Sequence, residues 1–401
     1  MLVLRRAFSL ILAAAALAGA GEATAAPLAA RLERALASPG VSWSSTGVLT
    51  LELGTGRRVY GRNAGLPLRP ASNEKLTVAL AALAKLGPRF RFTTRLVGEG
   101  RRDRGVWRGR IALVGAGDPT LGHGDLVRLA RRLSAAGVRR VTGGIVADET
   151  LFDARRTAPG WKRSYYKLEC PPLSALVVAR GKVGRYTVDD PALAAARALR
   201  AVLAREGVAV GRGTAKRAAA ADATPLARVA SPRLAAIVRA MNRTSDNFYA
   251  EMLLKALGAY EVGRGTTGAG AAVVRRELAR RGVPLGGVRI VDGSGLSARD
   301  RLTARAITAL LVSAWSDGGV SRPFVASLPV AGVSGTLADR MTRPPAYRRV
   351  RAKTGTTNNA SALSGYVATR YVFSILQNGS PIPWWYARRG QDRFAQVLAG
   401  S

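Results

Sequence analysis

Three short motifs carry the side chains of this sequence that could do covalent chemistry. Ser72-Asn73-Glu74-Lys75 sets a hydroxyl and an amine three residues apart, a spacing that brings both to one face of a helix. Ser245-Asp246-Asn247 follows in a turn between two helical stretches, and Lys353-Thr354-Gly355 lies on a strand-like run. An amine that has lost its proton can take the proton of a serine hydroxyl and turn it into a nucleophile for an acyl carbon. In this order the motifs are the signature of serine acyl transfer without histidine.

Other hydrolytic chemistries lack their parts. The one histidine, His123, sits in a glycine-rich loop that opens a helix, so no Ser-His-Asp triad is expected. One His and one Cys are too few ligands for a zinc site. Cys170 precedes Pro171-Pro172 in a turn and reads as a packed small hydrophobe. No cofactor is implied. A second S-x-x-K, Ser164 to Lys167, runs into Glu-Cys-Pro-Pro and cannot open a long helix, so it reads as accidental. Each motif residue also has a plain reading: Ser72 and Asn247 as helix caps, Lys353 as a solvated strand residue. Coincidence must then place all three motifs in order and on the right element types.

The elements that must position these groups can be read from periodicity. Pro27 to Ala37 reads as a helix and Val48 to Tyr60 as a hairpin turning at Gly54-Thr55-Gly56. The run after Ser72 repeats Leu76, Leu80, Leu83 and Leu86 at helical spacing and stops at Gly87-Pro88. Alternating strands and helices follow, and after Pro225 the chain reads as mainly helical up to Trp315. The last third carries three strands, YRRVRAKTGT, SALSGYVAT and YVFSILQNG, parted by Asn358-Asn359 and by a turn near Thr369-Arg370, an antiparallel meander closed by a helix over Gln391 to Leu398. The organisation expected is a leader (residues 1–26), a first catalytic part (27–88), an inserted α/β subdomain (89–224) and a second catalytic part (225–401).

The leader reading rests on Arg5 and Arg6, an apolar run from Ala7 to Ala18 and the cleavage-type triplet Ala23-Thr24-Ala25. That run is shorter than the roughly 18 residues of a membrane span. Export across the inner membrane to the periplasm or cell wall, with no membrane anchor left after cleavage, is the expectation. The formal charge of +37 favours adhesion to polyanions such as anionic wall polymers. The basic residues are spread along the chain rather than clustered, which fits a compositional bias better than a binding patch, and no nucleic-acid partner is expected.

Beyond the three motifs the chain resembles the D-alanyl-D-alanine carboxypeptidase/endopeptidase family of low-molecular-mass class C penicillin-binding proteins. The resemblance runs through GDPTL (117–121), MNRTSDNFYAEMLLK (241–255), VDGSGLS (291–297), LPVAGVSGTL (328–337), RAKTGT (351–356), SALSGYV (361–367) and FSILQNG (373–379). It implies an α/β (α+β) fold of the serine β-lactamase/penicillin-binding transpeptidase type: an antiparallel sheet flanked by helices, an all-helical subdomain and an inserted α/β subdomain. It implies peptidoglycan stem peptides as substrate, β-lactam antibiotics as inhibitors, and Ser72, Lys75, Ser245, Asn247 and Lys353 as catalytic residues. Lys353, in the same cleft, would lower the proton affinity of Lys75 by its charge. Ser245 would relay the proton to the leaving amine, and Asn247 would hold Lys75 and a substrate amide. Lys353 and Thr354 would take the terminal carboxylate, Gly355 would leave room for the substrate along the strand, and the N–H groups of Ser72 and Thr356 would form the oxyanion hole. The 173 residues between first and second motifs are fewer than in long members of the family, so part of the insert is expected to be missing.

Two rivals follow. A fast β-lactamase of this type needs a glutamate as general base; beyond Asn247 only Glu251, Glu261 and Glu277 occur, all in predicted helices, so slow loss of bound penicillin is expected. The non-enzyme alternative is an inactive wall- or polyanion-binding protein on the same scaffold.

Overall fold

A computed structural model describes residues 26–401; the leader reading lies outside the described residues. Five antiparallel strands form the sheet that carries the third motif, in the spatial order Val350–Thr357, Ala360–Val367, Tyr371–Asn378, Thr46–Glu52, Arg58–Arg62. The meander read from the last third is present, and its first turn is the two residues Asn358-Asn359, with Thr357 opposite Ala360. Side chains of the central strand divide by period two. Ala362 and Tyr366 pack into the helical core, while Leu363 and Val367 meet a second layer with Leu32, Leu36, Phe394 and Leu398. These come from the helices Leu28–Leu36 and Trp384–Ala399. Every residue from Ala360 to Val367 is buried, as expected of a strand covered on both faces.

On the opposite face lies the helix Lys75–Lys85, preceded by one 3₁₀ turn over Ala71–Glu74. The leucine repeat reads as one apolar stripe, yet every residue from Lys75 to Leu83 is buried. A helix apolar on all sides belongs in the middle of a core. Around it pack Leu234–Thr244, Asn247–Val262, Thr267–Arg280 and Ala304–Ser316, sharing one core that includes Leu76, Leu80, Phe248, Leu253 and Leu311.

A separate sheet is built from Thr93–Asp103, Val106–Val114, Ile145–Asp148, Thr214–Lys216 and Thr224–Ala230, with two short strands beside them. Its own core joins Leu96, Ile111 and Leu113 to the helices His123–Ala135 and Pro191–Arg205. One boundary differs from expectation. Residues just after Pro225 are not helical: Thr224–Ala230 returns to this sheet as an edge strand antiparallel to Thr93–Asp103, with its register shifting between Pro225 and Ala227. An edge position is where a residue without an N–H is tolerated in a sheet.

Candidate active site

Each of the three motifs sits at the end or edge of an element that the core immobilises, and the three meet. Ser72 lies in the 3₁₀ turn and Lys75 one turn on, so that the Lys75 Nζ donates to Ser72 Oγ at 2.9 Å. The same amine donates to Asn247 Oδ1 at 2.8 Å and to the Ser294 carbonyl at 2.6 Å. Ser245 ends the helix Leu234–Thr244 and Asp246 caps the next, accepting from the Tyr249 N–H. Lys353, on the edge strand, donates to Ser245 Oγ at 2.8 Å and to its neighbour's carbonyl, Thr354 O, at 2.8 Å. All five expected catalytic residues are therefore hydrogen-bonded within the site, in two groups: Lys75 with Ser72 and Asn247, and Lys353 with Ser245.

Two of the positive-φ residues of the chain lie at the serines. Ala71 has φ 46° and Ser245 φ 58°, values that residues with a Cβ adopt at a cost and that persist where the surroundings enforce them. Gly355 also meets a packing requirement. A Cβ there would lie 2.9 Å from Pro70 O and 3.1 Å from Ser72 N, so the space is filled by the turn of Ser72. The missing side chain lets the strand close onto that turn.

Burial sets the electrostatics. Lys75 and Lys353 are both fully buried. Taking the ammonium out of water is the largest influence on Lys75 and brings its pKa down to about 8, against the pull of Asp292, Glu251 and Asp246. The expectation that the charge of Lys353 does this is corrected: burial does. Lys353 is pushed well below the ordinary lysine value, first by burial and then by the charge of Lys75, and among the described residues it has no carboxylate within ion-pairing distance. Glu251 and Glu74 are raised, again mainly by burial, and Cys170 is a buried thiol whose proton affinity burial increases.

Thr354 Oγ1 is paired with Thr336 Oγ1 at 2.7 Å. The exposed Thr356 accepts from Arg388 Nη2 at 3.0 Å, and that guanidinium lies 4.6 Å over Trp384. Asn247 Nδ2 donates to the Glu169 carbonyl at 3.0 Å, so one of the amide's donors is already engaged. A recess of ≈ 380 Å³ opens at the end of the Lys353 strand, lined by Ser164, Tyr165, Glu169, Leu296, Thr356 and Trp384. The second S-x-x-K contributes only Ser164 to this wall. Lys167 turns away with φ 65° and pairs with Asp189 at 2.7 Å. A larger hollow of ≈ 730 Å³ between Arg31 and Gln396 contains none of the motif residues.

Several residues of the site went unmarked in the sequence. Thr336, Ser294 and Glu251 lie inside stretches noticed for their resemblance, without a role assigned. Arg180, which pairs with Asp246 at 2.5 Å and lies 5.1 Å over Phe248, Trp161 and Glu169 reach the site on the segment leaving the second sheet. Arg388 reaches it on the C-terminal helix. No spacing signal connects residues so far apart in the chain.

The arrangement supplies a hydroxyl hydrogen-bonded to an amine of lowered proton affinity, and a second serine hydrogen-bonded to a second amine. Comparison with known proteins agrees with that chemistry. The chain is 33% identical over 463 aligned positions to the D-alanyl-D-alanine carboxypeptidase of Actinomadura sp. (strain R39), covering 94% of this chain and 85% of that one. Its fold is similar to that of penicillin-binding protein 4 from Haemophilus influenzae, with a TM-score of 0.82 at 20% identity over 93% of this chain and 98% of the other. The same protein complexed with a β-lactam gives 0.78 at the same identity and coverage. The model of the D-Ala-D-Ala carboxypeptidase 3 (S13) family matches residues 28–185 and 182–399, and the chain belongs to that family.

Proposed function

We propose that this protein is a serine-type D-Ala-D-Ala carboxypeptidase or D,D-endopeptidase of peptidoglycan stem peptides, with Ser72 as nucleophile. The observation that carries the reading is the convergence of two hydrogen-bonded groups, Lys75 with Ser72 and Asn247, and Lys353 with Ser245, held by three side-chain hydrogen bonds of 2.8–2.9 Å. In acylation Lys75 takes the proton of Ser72 Oγ while Oγ bonds to the carbonyl carbon of the penultimate D-alanine. The C–N bond then breaks, and the leaving amine receives a proton through Ser245. Water releases the acyl group and restores Ser72. The close approach of Gly355 to Ser72 N supports an oxyanion hole made by the N–H groups of Ser72 and Thr356.

For the terminal carboxylate the amine of Lys353, Thr354 and Thr356 are joined by Arg388. Burial lowers the proton affinity of Lys353, and an arriving carboxylate would favour its charged form. Arg388 keeps its charge throughout. β-Lactams would acylate Ser72 as substrate analogues. An exported location, the leader of residues 1–26 and an inserted subdomain running from about residue 89 to the end of the edge strand Thr224–Ala230 belong to the same reading. The described residues include no helix long and apolar enough to cross a membrane. The inactive-scaffold alternative is not favoured by a site in which Ser72, Lys75, Ser245, Asn247 and Lys353 are all present and hydrogen-bonded.

Labelling of the purified protein with fluorescent penicillin tests this, with Ser72→Ala and Ser164→Ala beside the wild type. Loss of label in Ser72→Ala alone is the expected result; labelling retained in a folded Ser72→Ala would overturn the assignment of the nucleophile.

A further inference from the structure

The mechanism above uses two of the three acceptors around the Lys75 amine. The third, the Ser294 carbonyl at 2.6 Å, belongs to a loop held by carboxylates that are themselves buried. Glu251 Oε1 accepts from the N–H groups of Gly293 at 3.0 Å and Ser294 at 2.8 Å. Asp292 accepts from the N–H groups of Gly295 and Ser297, each at 2.7 Å, and from Trp161 Nε1 at 2.8 Å. Asp292 and Glu251 are both inaccessible to solvent. The loop also abuts the nucleophile: Gly295 has φ 81°, and a Cβ on it would lie 1.8 Å from Ala71 O.

A neutral amine has two N–H bonds and one lone pair. Asn247 Oδ1 and the Ser294 carbonyl can only accept, the first because its Nδ2 is committed to Glu169 O. Both N–H bonds are thereby used, and the lone pair is left facing Ser72 Oγ. We propose that Asp292 and Glu251 are positioning residues of acylation: by tying down Gly293 to Ser297 they hold the Ser294 carbonyl on Lys75 and so aim its lone pair at Ser72. The inference rests on Ser72 and Lys75 acting as proposed. Misplacing a reacting group by about an ångström can cost about a hundredfold in rate, so the brace is a rate device as well as a structural one.

The groups that face Lys75 are Asp292, Glu251, Glu74, Asp246, Cys170 and Lys353. The Asp292 charge raises the proton affinity of Lys75. Removing that charge lets Lys75 lose its proton at lower pH, which moves the acid limb of the acylation profile to lower pH. The experiment is the second-order rate of fluorescent-penicillin acylation from pH 6 to 10 for wild type, Asp292→Asn, Glu251→Ala and Glu251→Gln, with folding checked by circular dichroism. Expected are losses of about tenfold or more in Asp292→Asn and Glu251→Ala, an acid limb displaced downward in Asp292→Asn, and recovery of most of the loss in Glu251→Gln, which keeps the Oε1 acceptor. Folded variants that acylate at the wild-type rate with an unmoved limb would overturn the proposal, as would a loss in which Gln is no better than Ala. Should Asp292→Asn fail to fold, the Glu251 pair decides alone. A wild type that is not labelled at Ser72 overturns the nucleophile instead.

Discussion

Lys75 can act as a base only in the fraction of molecules where its amine is neutral, and burial decides that fraction. With its pKa near 8 the acylation rate should climb as pH rises through about 8 and level off above it, since deprotonation produces the active form. Stopped-flow acylation by a chromogenic β-lactam across that range checks the limb. Lys75→Ala should lose about a hundredfold or more in acylation rate while still folding, because it removes the base from an otherwise intact site; wild-type acylation would exclude Lys75 from that role. Gly355→Ala is expected to slow acylation too, since the added methyl meets Pro70 O and Ser72 N and must push the strand from the nucleophile turn. Deacylation is a separate matter. Glu251, the glutamate nearest Lys75 beyond the second motif, is buried and engaged with the 293–294 backbone, so bound penicillin should persist on Ser72 for many acylation half-times, as mass spectrometry of the intact protein would show.

At the scale of elements, the helix Lys75–Lys85 is the post on which the site stands. It is apolar on every side, and both neighbouring strained residues, Ala71 and Ser245, are held by what packs against it or beside it. Leu80→Ala would leave a cavity in that core and should cost about 2–5 kcal/mol of stability, measurable by urea unfolding. Penicillin labelling of the fraction still folded should proceed at the wild-type rate, because Leu80 touches the core and not the reacting groups. The leucine repeat is enough to read a helix, but a helix with a stripe and a helix buried all round differ only in their surroundings. Thr224–Ala230 shows the opposite case. Its Pro225 reads as a break before helices, and only pairing with Thr93–Asp103 makes the segment an edge strand.

For the molecule as a whole, the charge of +37 and the acyl-transfer site are independent. Charges at the surface are screened within about 8 Å at physiological salt, whereas the amines of the site are buried. Raising salt should therefore strip the protein from an anionic resin while leaving its penicillin acylation rate nearly unchanged. A parallel fall in both would tie the basic surface to catalysis. The second sheet is likewise joined to the site through the segment that leaves it, by Trp161 on Asp292, the Glu169 carbonyl on Asn247 and Arg180 on Asp246.

The sequence by itself determined the reagents: a serine and a lysine three residues apart, the second and third motifs in order, and the meander whose edge strand carries Lys353. These are local facts, written in spacing and in period two or 3.6. Only the tertiary structure decided which forces tune those reagents. Burial rather than a neighbouring charge depresses Lys75, Gly355 closes tightly onto the turn of Ser72, and Ser294, Asp292, Trp161 and Arg388 join the site from three distant parts of the chain. Desolvation and backbone contact depend on what surrounds a residue in space, and that is set by the packing of the whole chain and not by its neighbours in sequence.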